Sequence, residues 1–226
     1  MTKTPTADVG EQFTAFIPSW KRQKNVHLII SALRDQTANP RIVVVNNGEP
    51  FECDCDAMWQ APLNAGPFFK FLVATFYDGW LYFNDDDIMP FKDDLILSLR
   101  DLALETAAEI VGARARDIHA EPPHYANRPD TDGWTNNVKM AVSLMHRRTL
   151  SKVRIPPYNM PKRCDDIHVS LEVSRGAKVL YVDNELTRGF TDLPAPYALS
   201  GQKNHYKERG RYAGDWMVRN LGELRE

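Results

Sequence analysis

Thiols are scarce in this sequence: Cys53, Cys55 and Cys164 are all it has in 226 residues. So few, in an odd number, exclude a disulfide scaffold and fit the reduced thiols of a cytosol-like compartment. Cys53 and Cys55 are one residue apart, closer than the roughly two to four residues that separate paired zinc ligands, so they read as structural. Long apolar runs are also missing. No stretch approaches the ~20 residues that span a bilayer, and the opening "MTKTPTADVGEQ" has no apolar signal region. The expectation is a soluble protein without a membrane span, cytoplasmic or, if viral, working in the host cytoplasm. Neither sign of charge dominates. Lys and Arg total 28, Asp and Glu 30, for a net charge of −2, so any charged partner must be read from local patches. Internal repeats and low-complexity tracts are absent as well.

What is present is a strand–helix alternation with 43% apolar residues, enough for one large core. "FTAFI" (13–17) reads as a buried strand, and "VHLIISALRDQ" (26–36) as a helix with Val26, Ile29, Ile30 and Leu33 on one face. "RIVVV" (41–45) is a β-branched run of interior-strand type, closed by "NNGEP" (46–50). A helix over 66–79, the strand "WLYF" (80–83), a helix over 91–105 and a strand over 108–115 follow. Residues 117–135, rich in Pro, Asp, His and Asn, read as a long loop, then strand and helix over 138–150, a helix over 164–177 and a strand over 178–183. From Ser200 the chain is polar and basic, with Lys203, Lys207, Arg209, Arg211 and Arg219, and reads as a solvated helix. This order predicts an α/β fold with an open, mostly parallel sheet flanked by helices. Ligands of such sheets sit beyond the carboxyl ends of the strands, where "PSW", "NN" and "NDDD" would converge.

The last of these raises the chemical question. Asp85, Asp86 and Asp87 follow a buried strand directly, and adjacent carboxylates repel one another unless a cation or proton intervenes. In extended chain Asp85 and Asp87 share a face, with Asp86 on the other. Hard oxygen ligands suit Mg2+ or Mn2+, which keep open positions for diphosphate oxygens. Asp165 and Asp166 open a second amphipathic helix. One acid caps a helix, and the other is left to act as a base or to stabilise charge at a sugar carbon. His205, Lys207, Arg209 and Arg211 could neutralise a diphosphate leaving group, or His205 could ligate the metal.

With these residues in view the chain resembles glycosyltransferases of the GT-A (Rossmann-like) fold. "YFNDDD" resembles their metal-binding Asp-x-Asp motif, and "CDDIHVSLEVSRG" the acidic pair beyond the acceptor region. "IVVVNN", Asn64, "EIVGARAR" and Cys164 to Ile167 are similar to the exostosin-like glycosyltransferases, over about residues 13–185; family-2 glycosyltransferases are a looser match. The first-strand motif "FIPSWKR" has Ser-Trp where the exostosin-like pattern has Tyr-Asn.

The resemblance implies a nucleotide-sugar-dependent hexosyltransferase with a UDP-sugar donor and Mn2+ or Mg2+. Pro18, Ser19 and Arg22 would line the nucleotide pocket, Asn46 and Asn47 would meet the uracil or ribose, and Asn64 and Lys70 would support the nucleotide edge. Asp85, with Asp86 beside it, and Asp87 would handle ribose and metal, Asp87 foremost as ligand, with His205 as a further ligand. Asp166 and Asp165 would act at the sugar carbon, and Arg209 and Arg211 at the diphosphate. The division implied is one domain over 1–226: a nucleotide-sugar half (about 13–115), an acceptor half (about 116–200) and a basic tail (201–226). A candidate acceptor is a hydroxymethylated base in viral DNA, motivated by Arg114, Arg116, Arg128, Arg147, Arg148, Lys152 and Arg154, with Trp134 or Tyr125 to stack on an extruded base. A glycan or small-molecule acceptor is the alternative. A nucleotidyltransferase would want a glycine-rich phosphate loop, which "FIPSWKRQKN" lacks, and a non-catalytic nucleotide-sugar-binding module would have no need of both acidic groups.

Overall fold

The computed structural model describes residues 11–120, 123–125, 133–196, 198 and 204–221. Its centre is an eight-stranded sheet. β1 (Phe13–Ser19), β2 (Arg41–Asn46), β3 (Ala57–Gln60) and β4 (Trp80–Asn84) form a parallel block in the order β3-β2-β1-β4. β10 (Val142–His146) reverses the direction, running antiparallel to both β4 and β6 (Ile110–Gly112). β11 (Leu180–Val182) lies parallel to β6, and β9 (Gly133–Thr135) closes that edge antiparallel. The sheet is therefore mixed, parallel from β3 to β4 and reversed at β10, a strand whose direction the sequence pattern does not encode.

Strand alternation explains the layers. Ala15, Ile17, Ile42 and Val44 face one side, where they pack with α1 (Gln23–Arg34) and α3 (Leu95–Thr106). Phe16, Val43 and Val45 face the other, against α2 (Phe69–Ala74) and α5 (Asp165–Ser174). Because both faces are covered, β2 needs an unbroken apolar run, and each buried Ile or Val in it contributes about 1.5–3 kcal/mol relative to exposure. A third core joins α5 to α6 (His205–Leu221) through Cys164, Ile167, Leu171, Tyr212, Trp216 and Met217, with Ile118.

Several expectations are corrected here. The helix expected over 66–79 shortens to α2, its start fixed by the turn at Pro67 and Phe68. The loop expected over 117–135 contains β7 (Ile118–Ala120), β8 (Pro123–Tyr125) and β9, and the β7–β8 hairpin lies against α6. The helix expected to be solvated is not: Arg209, Tyr212, Ala213, Trp216 and Met217 are buried. Arg128, Lys203 and the side chain of Tyr125 lie outside the described residues. β3, β5 (Ile88–Pro90) and β12 (Phe190–Asp192), which pairs with β5, were not anticipated. Among the described residues no helix is long and apolar enough to cross a membrane.

One glycine is fixed by close approach. A Cβ on Gly112 would stand 2.3 Å from Val138 Cγ1, so only glycine lets the segment before β10 lie against the end of β6. That segment, residues 136–141, and the one after β6, residues 113–116, border the cleft described next.

Candidate functional site

Parallel pairing of β1, β2 and β4 brings Ser19, Asn46 and Asn84 to the same edge of the sheet. A cleft of about 540 Å³ opens there. One side is bordered by Pro18, Ser19, Arg22, Asn47, Asn64 and Lys70, its middle by Asp85, Asp86 and Asp87, and its far side by residues of the 136–141 segment and of α5 and α6.

The three acids lie in a tight turn between β4 and β5, not in extended chain, so they do not alternate. This corrects the expected geometry. Asn84, fully buried, holds the turn by donating from Nδ2 to the carbonyls of Asp85 (2.8 Å) and Ile88 (2.7 Å) while accepting from Tyr82 Oη (2.8 Å). The turn sends Asp85 one way, to Lys70 Nζ at 2.8 Å. It sends Asp86 and Asp87 together the other way, where Arg22 Nη1 pairs with both, at 3.0 Å from Asp87. Burial pushes the Asp86 carboxyl up to about 7 against the pull of Arg22, with Asp85 and Asp87 adding to the rise. Asp87 is also raised, first by burial and then by the charge of Asp85, again against Arg22. The acids thus crowd one another, and two cations hold them.

Lys70 carries the most unusual environment. Its side chain is 1% exposed, and its Nζ lies 2.8 Å from Asp85 and 3.8 Å from Asp165 and donates to the Met140 carbonyl at 3.3 Å. Burial disfavours its charge, but Asp85, Asp165 and Asp166 hold its pKa above the ordinary lysine value. It is the physical link between the acid turn and α5. Burial drives Asp165 up to about 7, a rise opposed by Lys70 and reinforced by Asp166 and Asp85. Asp166 is committed differently: Oδ2 accepts from Arg209 Nη2 at 2.7 Å and Oδ1 from the Ile167 amide at 2.9 Å.

Ser19 Oγ, Arg22 Nε, Asn47 Oδ1 and His205 Nδ1, all on residues bordering the cleft, are buried with no hydrogen-bond partner among the described residues. Buried polar groups are normally satisfied, and such exceptions around one cleft are what a polar ligand would complete. His205 is pushed down to about 4 by burial and by the nearby Arg209, Arg163 and Arg116, so its ring is neutral at neutral pH.

Not every residue expected here arrives. Asn46 borders no part of the cleft: its amide donates to the Glu49 carbonyl and to Gln60 Oε1, both at 2.8 Å, and its oxygen accepts from the Gly48 amide at 3.0 Å. Arg211 is exposed on α6 and outside the cleft, because the helix turns Arg209 inward and Arg211 out. Among the described residues no three His, Cys, Asp or Glu side chains form a metal-holding group, so His205 does not join Asp85 and Asp87 in one set. Lys139 and Tyr206 border the cleft, and Asn84 holds its acid turn, without having been assigned to the site. The basic patch expected around an acceptor divides. Arg114 and Arg116 lie near the cleft, but Arg147 follows His146, which pairs with Trp80 at the amino end of β4. Arg147, Arg148 and Lys152 therefore stand at the opposite edge of the sheet, Lys152 pairing with Glu109 at 2.5 Å, and Arg154 pairs with Glu172 far along α5 at 2.8 Å. Trp134 packs edge-on against Tyr181, away from the cleft.

No family model matches the chain, and no curated protein matches it in sequence. Solved structures do match. The chain is similar to residues 1-349 of S. aureus TarS at 12% identity, with a TM-score of 0.52 over 77% of this chain and 58% of that one. It is similar also to the mannosyltransferase PcManGT from Pyrobaculum calidifontis, solved in complex with GDP-Man and Mn2+, at 12% identity, with a TM-score of 0.56 over 98% of this chain and 77% of that one. The fold is GT-A. The chain spans a little over half of the TarS fragment. The likeness shows the GT-A fold alone and does not show the exostosin-like family expected from the motifs. In the GT-A frame the acid turn closes the parallel block of the sheet, and the reversed strand β10 begins the other half.

Proposed function

We propose that the protein is a metal-dependent glycosyltransferase that moves a sugar from a UDP-sugar to a hydroxyl acceptor. The observation that carries this reading is the meeting, in one cleft, of a crowded carboxylate turn with buried, unsatisfied polar atoms on Ser19, Arg22 and Asn47. A fold shared with a mannosyltransferase solved with GDP-Man and Mn2+ supports a nucleotide sugar and a divalent ion.

Mg2+ and Mn2+ are commonly held by as few as one or two carboxylates plus substrate phosphates; Asp87, bordering the cleft, would supply one, with Asp85 on the Lys70 side of the same turn. When bound, the ion would offset charge building on the diphosphate as the sugar leaves. Ser19, Asn47 and Arg22 would meet the nucleoside, and Lys70 would keep Asp85 and Asp165 in position. The bond from the anomeric carbon to the diphosphate oxygen breaks, with its electrons leaving on the nucleoside diphosphate. The acceptor oxygen bonds that carbon, and the hydroxyl proton passes to Asp165, whose pKa near 7 suits a base at neutral pH. Asp166, tied to Arg209, orients the start of α5.

For the acceptor, a glycan or small-molecule hydroxyl fits the cleft better than a hydroxymethylated base in viral DNA. A duplex would need a continuous basic track, and Arg147, Arg148 and Lys152 lie at the far edge. Salt-sensitive retention on hydroxymethylated duplex would reverse that preference.

Calorimetric titration with UDP and with GDP, each with and without Mn2+, tests the donor half. Nucleotide binding should require the metal and vanish in Asp87→Ala, with turnover falling by about 10²–10³-fold. Absence of nucleotide binding under every condition would overturn the reading.

A further inference from the structure

From Val142 to Cys164 the sequence has no acid and six lysines or arginines. Three of these meet acids from elsewhere in the chain: Lys152 pairs with Glu109, Arg154 with Glu172 and Arg163 with Glu208. The other three have no ion pair among the described residues. Arg147 Nε donates to the Thr75 carbonyl at 3.2 Å, Lys162 Nζ donates to the Asn64 carbonyl at 2.5 Å, and Arg148 is exposed. The segment therefore keeps a net positive charge, and most of it lies outside the cleft.

The same segment turns large apolar side chains outward. Residues 151–161 form a loop that is anchored at both ends. Val153 and Met160 pack on the core beneath α2 and α5, and His168 Nε2 donates to the Arg154 carbonyl at 2.8 Å. Between these anchors Ile155 is 80% exposed and Tyr158 is fully exposed. Pro156 and Pro157 stiffen the backbone that carries them. A lone exposed apolar residue is ordinary, but this pair has company. Arg147 on the Thr75 carbonyl and Lys162 on the Asn64 carbonyl lay the segment alongside α2, from just past its end to just before its start. On α2 Leu72 is exposed, and beyond it Phe76, 72% exposed, stacks at 5.2 Å on Trp59 of the edge strand β3. One face of the molecule thus carries Ile155, Tyr158, Leu72, Phe76 and Trp59, with cations along its border.

We propose that this face docks on an anionic lipid bilayer. Ile155 and Tyr158 would enter the interface, where aromatic side chains settle at headgroup level, and Arg147, Arg148 and Lys152 would meet the anionic headgroups. A nucleic acid would engage the cations and leave Ile155 and Leu72 without a partner. A second copy related by a two-fold axis would bring the same cations face to face. The segment ends at Pro161 and Lys162, which border the cleft, so a docked protein would hold the cleft beside the headgroups. The inference does not depend on the donor reading.

The test is flotation of the full chain with vesicles of phosphatidylcholine alone and of phosphatidylcholine mixed with phosphatidylglycerol. Wild type should float with the mixed vesicles and not with the neutral ones, and binding should weaken as salt is raised. Ile155→Ser combined with Tyr158→Ser should lower the partition coefficient by about tenfold or more, and Arg148→Gln by about fivefold. Both variants change exposed side chains and should keep the wild-type urea midpoint. Failure of the wild type to bind the mixed vesicles, equal binding to the neutral ones, or binding indifferent to Ile155 and Tyr158 would overturn the inference. A wild-type dimer that the double variant dissociates would assign the face to a second copy. Stronger retention on duplex DNA than on the mixed vesicles would assign its cations to a nucleic acid. Either result would overturn it as well.

Discussion

The two sides of the cleft are made differently. The β1–β2–β4 side is built from the ends of parallel strands, its acids and bases paired around a single turn and its unsatisfied atoms uncharged or half-used. The β10–β6 side is built from a reversed strand, segments joined by a bridge between Ala115 and Val138, and two helices. One side arises from local continuity, the other from pieces distant in the chain. Lys70 joins them, since its ammonium lies between Asp85 of one and Asp165 of the other.

The strongest way to break this division is to remove the joint. Lys70→Met leaves buried Asp165 beside Asp85 and Asp166 without its nearest cation and should cost roughly 2 to 3 kcal/mol in urea unfolding at neutral pH, less than for a wholly buried pair because Asp85 is part-exposed. Wild-type stability would mean the two sides are held independently. A subtler probe is pH. Asp86 and Asp165, raised mainly by burial to about 7, hold protons more tightly in the native state than in the unfolded chain, where carboxylates titrate near ~4. Their contribution to stability is therefore fully present below about pH 4 and is lost as pH rises through about 7. The urea midpoint of the metal-free protein should decline across that window, and Asp86→Asn should flatten the decline; an unchanged slope in that variant would remove Asp86 from the account. Turnover should climb in the opposite sense, rising through about pH 7 as Asp165 ionises, with the rise missing in Asp165→Asn. The smallest effect sharpens the boundary of the far wall. Arg211→Ala, on the exposed face of α6, should change turnover by less than about twofold, whereas a larger loss would bring that face into the site.

Much of the β1–β2–β4 side was legible because its signals are local. "RIVVV" can only be an interior strand, and a polar residue at its end must lie at the sheet edge. The acid pair opening α5 was legible for the same reason. The turn geometry of Asp85 to Asp87 was not, since alternation applies only while the chain stays extended. β3, with Ala57 and Gln60 at its ends and no β-branched residue, has too little strand character to be read alone. In α6 the apolar stripe Tyr212, Ala213, Trp216 and Met217 was present at helical spacing, but the surrounding charges masked it. Lys139 had no local signal whatever; it reaches the cleft through the bridge between Ala115 and Val138.

The burial of α6 has a consequence for the order in which the protein is made. A ribosome completes the acid turn and the whole parallel block while His205 to Leu221 is still untranslated. The emerging chain thus has the acid turn and the strand ends around it before it has the wall formed by Tyr206 and Arg209. Until that helix docks, Cys164, Ile167 and Leu171 face solvent, and this is the interval in which the nascent protein is open to chaperones and to aggregation.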